Sequence, residues 1–227
     1  MKVRIRFSKT GALVYIGHLD VMRYFQKLFR RAGIPVKYSE GFSPHQILSF
    51  SPPLPLGTES AGEYADVELT DRISTEDAMK ALIEQSVDEI EILSFKELPE
   101  KCDSAMAAVT AAGYKVTFET APLDIEEAVR TFLSSEEVLI VKKTKKSEKE
   151  LNIRSLVYEL SADNAKGTVS MLISSGSVDN IKPDLVIGAL FKPYGTDCEG
   201  NYRIMRTDQY TGEGEFISLD EIGKEIQ

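Results

Sequence analysis

Charged and apolar residues alternate through Lys2-Val3-Arg4-Ile5-Arg6-Phe7, a period of two that predicts a strand with Val3, Ile5 and Phe7 on one face. From His18 the period lengthens to that of a helix. Met22, Phe25, Leu28, Phe29 and Ala32 fall on one side, and Asp20, Arg23, Lys27, Arg30 and Arg31 on the other, which predicts a helix over 18–32. Gly33 and Pro35 stop it, because glycine takes the left-handed position after a helix and proline cannot continue the hydrogen-bond ladder. A strand over 34–38, a Pro-, Gly- and Ser-rich excursion over 39–57, a strand over 62–69, a helix over 75–85 and a strand over 89–97 follow. Ser74 caps the second helix, with Glu76 and Asp77 in its positive first turn.

The rhythm then repeats. An alanine-rich stretch around Ala105-Met106-Ala107-Ala108 reads as a linker. Beyond it the pattern predicts a strand at 113–119, a helix at 124–133 capped by Asp124, a strand at 136–142 and a lysine-rich insertion. A strand at 167–173, a helix opened by Pro183 and a strand at 201–208 complete the series. The expectation is an α+β chain of two tandem ferredoxin-like (βαββαβ) units with antiparallel sheets. Residues 1–98 form a basic unit carrying the 39–57 loop, 99–112 the linker and 113–227 a second, acidic unit.

Composition narrows the class. Among 227 residues, 42% hydrophobic and 28% charged, no apolar run approaches the roughly 20 residues that span a bilayer. The amino-terminal strand pattern contains no apolar core of a signal peptide, so a cytoplasmic location and no membrane partner are expected. Cys102 and Cys198 stand far apart with only His18 and His45 to join them, which predicts neither a disulfide framework nor a metal site, and no cofactor motif is present.

Charge changes the picture more. The net charge is −9, yet residues 1–50 hold nine lysines and arginines against Asp20 and Glu40, while the remainder holds eighteen against thirty-four carboxylates. A polyanion is therefore the partner expected for the first fifty residues. Arg4 and Arg6 of the first strand and Arg23, Lys27, Arg30 and Arg31 of the first helix are the candidate phosphate contacts, arginine matching phosphate geometry with a bidentate fork. In the excursion, Ser39, Gly41, Phe42, Pro44 and His45 combine a flexible glycine, an aromatic, a fixed turn and an imidazole. Loops of that composition hold ligands or simply build turns. A second cluster, Lys142-Lys143-Thr144-Lys145-Lys146 with Lys149, reads as a solvated loop, and the acidic half is expected to supply solubility and partner contacts.

Tyr15-Ile16-Gly17-His18-Leu19-Asp20-Val21-Met22-Arg23, Arg30-Arg31-Ala32-Gly33-Ile34-Pro35-Val36, Tyr38-Ser39-Glu40-Gly41-Phe42-Ser43-Pro44-His45 and Pro53-Leu54-Pro55-Leu56-Gly57, with Ser60 and Glu63-Tyr64, form four ordered blocks. Together they resemble the radical-SAM-linked proteins, a bacterial family of unknown function. The likeness is specific over residues 1–70 and looser beyond residue 100. Gly17 stands where that family usually has serine. The family occurs free-standing or fused behind a radical SAM protein, often encoded near a ribonuclease of the G/E type and ribosomal protein genes. The resemblance implies a radical SAM protein as partner and a setting in RNA metabolism; it implies no reaction.

The chain cannot itself be the radical SAM enzyme, whose cluster needs three closely spaced cysteines. No phosphate-cradling loop, nucleophile elbow or zinc-protease motif occurs either. The leading expectation is a non-catalytic RNA-binding protein. The alternative is a metal-independent ribonuclease or RNA-modifying enzyme with His18 or His45 as general base and Lys9 or an arginine stabilising developing charge.

Overall fold

The structure, a computed structural model, describes residues 1–120, 124–143, 148–176, 180–196 and 200–227. It is a mixed α+β fold with mostly antiparallel sheet, and its chain divides into two units, Met1–Thr110 with Asp208–Gln227, and Ala111–Thr207.

In the first unit the elements run β1 (Lys2–Lys9), α1 (His18–Arg31), β2 (Leu48–Phe50), β3 (Glu59–Glu68), α2 (Thr75–Gln85), β4 (Ile92–Glu97) and a one-turn helix α3 (Ala105–Ala108). The strands lie in the order β4-β1-β3, with β2 on β3. All these pairs are antiparallel: Ile5 faces Ala65 and Phe95, and Phe50 also faces Ala65. Val3, Ile5 and Phe7 share one face, as their alternation requires, and α1 and α2 cover it with Phe25, Leu28, Phe29, Ala78 and Leu82. Each large apolar side chain so buried contributes roughly 1.5–3 kcal/mol. Ser74 accepts from the Asp77 amide at the start of α2, and Gly33, at φ 65, lies just past the end of α1.

One local expectation changes here and another gains detail. Residues 34–38 form no strand; Val36 and Tyr38 make single bridges, to Leu69 and Gln46, and the second sheet position is taken by β2, inside the Pro- and Ser-rich excursion. The stretch read as a linker, 99–112, contains the division between the units, after Thr110, but it is packed: Ala105, Ala108, Val109, Ala111 and Ala112 are all buried, alanine permitting close approach of backbone to core.

The second unit contains β5 (Ala111–Phe118), α4 (Ile125–Ser134), β6 (Leu139–Lys143), β7 (Glu148–Asn152), β8 (Val157–Asp163), β9 (Thr168–Ser174), α5 (Pro183–Phe191) and the first residues of β10 (Tyr202–Thr211). β9 lies between β5 and β8, with Met171 facing both Tyr114 and Leu160. Phe118, Phe132, Ile187 and Phe191 centre its core. Asp124 accepts from the Glu127 amide, the cap its position predicts, and Pro183 occupies the first turn of α5. The strand expected at 136–142 is β6, which among the described residues pairs with β7 in a separate two-stranded sheet, while β8 emerges from the stretch read as insertion. Of the lysine cluster, residues 144–146 lie outside the described residues, as does Cys198.

The boundary at 113–227 also changes, because Asp208–Gln227 belongs to the first unit. Its strand β11 (Ile217–Ser218) pairs with the end of β10, Leu219 packs with Tyr64 and Ala105, and Ile226 joins the first core. Burial of these side chains outweighs the sequence distance to their neighbours.

Candidate nucleic-acid interface

α1 is the element whose two faces differ most. Val21, Phe25, Leu28 and Phe29 are buried, and Arg23, Lys27, Arg30 and Arg31 are exposed. Arg23 Nη1 bonds Asp20 Oδ1 at 3.0 Å, one turn back. Arg30 Nε donates to the Gln26 carbonyl at 3.2 Å, and Arg31 Nη2 to that of Gln85, on α2, at 3.0 Å. Lys27 makes no hydrogen bond or ion pair among the described residues. Arg30 and Arg31 sit in the last turn, where the helix dipole favours cations.

The excursion after α1 folds back as a narrow hairpin. The Ile47 amide donates to Lys37 O at 2.9 Å and the Ser39 amide to His45 O at 2.8 Å. Ser39 Oγ also accepts from the His45 amide at 3.1 Å and pairs with His45 Nδ1 at 2.9 Å. Three contacts between Ser39 and His45 thus close a five-residue tip, turned by Gly41 at φ 109, a conformation that only glycine adopts without strain. At that tip Phe42 is wholly exposed, with Pro44 and His45 exposed beside it.

Gln46 connects the two features. Its buried side chain donates from Nε2 to the Gln26 carbonyl at 3.3 Å and to Tyr38 Oη at 3.3 Å. Gln26 O therefore receives both Gln46 and Arg30, and the hairpin is fastened against the cationic face of α1. Neither glutamine carried a signal in the sequence, since a buried polar tether between neighbouring elements has no local pattern.

Lys9, at the end of β1, and His18, at the start of α1, meet at a small cavity of about 20 Å³. Phe7, Phe50, Ser51 and Glu63 also line it. Lys9 and Glu63 are nearly inaccessible; Lys9 Nζ donates to Ile16 O at 3.0 Å, and Ser60 Oγ donates to Glu63 Oε1 at 2.7 Å. The His18 ring stands edge-on to Phe50, with centroids 5.5 Å apart. His45 is not here but in the hairpin neck. The space admits about one water.

Arg4 and Arg6 depart from expectation. Their face of β1 is not open: Arg4 lies opposite Asp66 and Lys96, Arg6 opposite Tyr64 and Ser94, and Asp103, just before α3, and the returning carboxyl-terminal segment supply further partners. Arg4 binds Asp66 through two nitrogens and donates to Asp103 O at 3.2 Å. Burial pulls its guanidinium pKa down, but the hydrogen bond and charge of Asp66 outweigh this and leave it raised. Arg6 faces Asp208 at 3.6 Å and Asp220 at 4.0 Å. Asp208 also accepts from Tyr64 Oη and from Ser218 Oγ, and Asp220 from Ser94 Oγ and Lys96 Nζ. Both arginines are thus paired with carboxylates inside the fold, and of the six expected phosphate contacts the four on α1 are the exposed ones.

Among the described residues no helix is long and apolar enough to cross a membrane, and no three His, Cys, Asp or Glu side chains gather as a metal site. Residues 2–183 match the family model described as an uncharacterised protein conserved in bacteria, DUF2344, and the chain belongs to that family. No curated protein matches. A chain of a solved Cbf5-Nop10-Gar1 complex is similar at 9% identity and a TM-score of 0.48, over 96% of this chain and 52% of that one. The present chain therefore spans about half the length of that structural relative.

Proposed function

We propose that this protein is an RNA-binding accessory protein of the cytoplasm, working beside a radical SAM enzyme in RNA or ribosome metabolism and performing no chemistry itself. The observation that carries the RNA reading is the fastening of the 37–47 hairpin to α1 through Gln46 and Gln26. It joins the hairpin that carries an exposed aromatic to the helix that carries Arg23, Lys27 and Arg30, and phosphate contacts with a stacking surface are the combination that RNA requires. The radical SAM partner rests on the four sequence blocks. The first unit is read as a ferredoxin-like domain on its β4-β1-β3-β2 order and two helices. The second is read likewise, on β8, β9 and β5 with the first residues of β10.

The test is a salt titration of RNA binding. Arg23→Ala and Arg30→Ala each weaken binding across sequences and lower the log–log salt slope by about one per lost phosphate contact. Absence of binding at low salt overturns the reading. The radical SAM partnership is tested separately, by its retention in a pull-down after RNase treatment.

One observation favours a second reading, a metal-independent ribonuclease or RNA-modifying enzyme: Lys9, His18 and Glu63 line one cavity. There His18→Ala would cost about 10² to 10⁴ in rate without loss of affinity. Under the accessory reading it abolishes no turnover.

A further inference from the structure

We propose that the RNA this protein selects is single-stranded, with an unpaired base stacked on Phe42 and the adjoining phosphates on Arg30, Arg23 and Lys27. The inference rests on the RNA reading and narrows it.

Phe42 is completely exposed, and an aromatic ring held wholly in water forgoes the burial that would stabilise the fold. The tip is nevertheless ordered by its neck: two main-chain hydrogen bonds, Ile47 to Lys37 and Ser39 to His45, with two further contacts through the Ser39 hydroxyl. The neck is itself anchored on α1 by Gln46. The ordering entropy of the loop is thus met before any ligand arrives, which is the condition for a platform that binds tightly. A duplex offers such a ring nothing, since its bases are stacked on one another and its A-form major groove is too narrow to admit the tip; an unpaired base offers a whole face.

The cations are arranged to suit. At about 100° per residue, Arg30 lies roughly 40°, Arg23 roughly 60° and Lys27 roughly 100° around α1 from Gln26, the point where the hairpin is fastened, whereas Arg31 lies roughly 140° away. Arg31 is also engaged with Gln85 on α2. A backbone leaving a base on Phe42 therefore meets Arg30 and Arg23 first and Lys27 next.

The experiment is fluorescence-anisotropy binding of a labelled RNA strand, alone and annealed to its complement, to the full-length chain at low salt. Wild type, Phe42→Ala and Phe42→Trp are compared at several salt concentrations. The expected result is tighter binding of the single strand than of the duplex, and a loss of roughly 5- to 150-fold on the single strand for Phe42→Ala with the salt slope unchanged. Phe42→Trp restores or exceeds wild-type affinity, and neither variant alters duplex binding. Because the position is fully exposed, both variants keep the wild-type melting temperature. Equal affinity for strand and duplex with Phe42→Ala neutral overturns this inference and leaves the RNA reading standing. Failure of wild type to bind either form overturns both.

Discussion

Arg4 holds Asp66 in a bidentate pair, Nε to Oδ1 at 2.7 Å and Nη2 to Oδ2 at 2.9 Å, with the two side chains only 2% and 3% exposed. Asp66 Oδ2 also receives the Ala105 amide at 2.7 Å, so the pair binds α3 to the sheet. Removing one partner strands the other as a buried charge. Arg4→Ala and Asp66→Ala are each expected to cost about 3–5 kcal/mol in urea unfolding of the full chain. The double variant Arg4→Met, Asp66→Leu should recover most of that loss, though not all, because the Ala105 amide then lacks an acceptor. Single and double variants of equal stability would show that the pair does not act as a unit.

That pair also shows what the sequence could and could not disclose. The two faces of α1, its stop at Gly33 and the caps Ser74 and Asp124 depend on residues within a turn or two of one another, and all were legible. The fate of Arg4 and Arg6 depends on Asp66, Asp208 and Asp220, which lie far along the chain and arrive only through strand pairing and the return of the carboxyl-terminal segment. Alternation in β1 correctly separated two faces but carried no information on which is wet. β8 was hidden for a similar reason: Val157-Tyr158-Glu159-Leu160 follows a lysine-rich run and gains its strand from pairing with β9. In the candidate interface, the cations and the exposed ring could be named from composition; the Gln46–Gln26 tether that joins them could not.

Alkaline stability should depend on Tyr64. Burial first, then the charge and hydrogen bond of Asp208, push its phenol far above the ordinary value near 10. Above about pH 10 the unfolded chain gives up this proton and the folded chain keeps it. The unfolded state then binds fewer protons, and stability falls as pH rises, by up to about 1.4 kcal/mol per unit from this group. Tyr64→Phe, compared with wild type in urea titrations at pH 8 and pH 11, should be less stable at pH 8 and lose less on going to pH 11. Parallel losses in the two proteins would refute the assignment.

The hairpin neck should matter to RNA affinity more than to global stability. Ser39→Ala removes the hydroxyl that accepts from the His45 amide and pairs with its ring, and Gly41→Ala forces a side chain into φ 109. Each loosens or strains the tip by about 1–3 kcal/mol. Both sites are remote from the buried core, so the melting temperature should move little while single-strand affinity drops several-fold. His45→Ala should behave like Ser39→Ala, without the pH-dependent rate loss that a general base at this position would show. A variant with unchanged affinity and a demonstrably mobile tip would remove the case for preorganisation.

The last prediction separates the arginines of α1 from one another. Arg30 shares the Gln26 carbonyl with Gln46, next to the hairpin, whereas Arg31 reaches across to the Gln85 carbonyl of α2. A ligand that merely follows the charge of the helix would feel both losses alike, since each removes one exposed cation within the same turn. A strand anchored by a base on Phe42 would not, because its flanking phosphate is placed on the Arg30 side. Arg30→Ala should therefore weaken single-strand binding more than Arg31→Ala at matched salt. Combined with Phe42→Ala, it should show a coupling of about 0.5 kcal/mol or more, against near-additivity for the Arg31 pair. The measurement is a double-mutant cycle in binding free energy with melting curves as the control for folding. Equal single effects and no coupling in either cycle would mean that α1 attracts RNA only as a field of charge, and that the hairpin does not orient it.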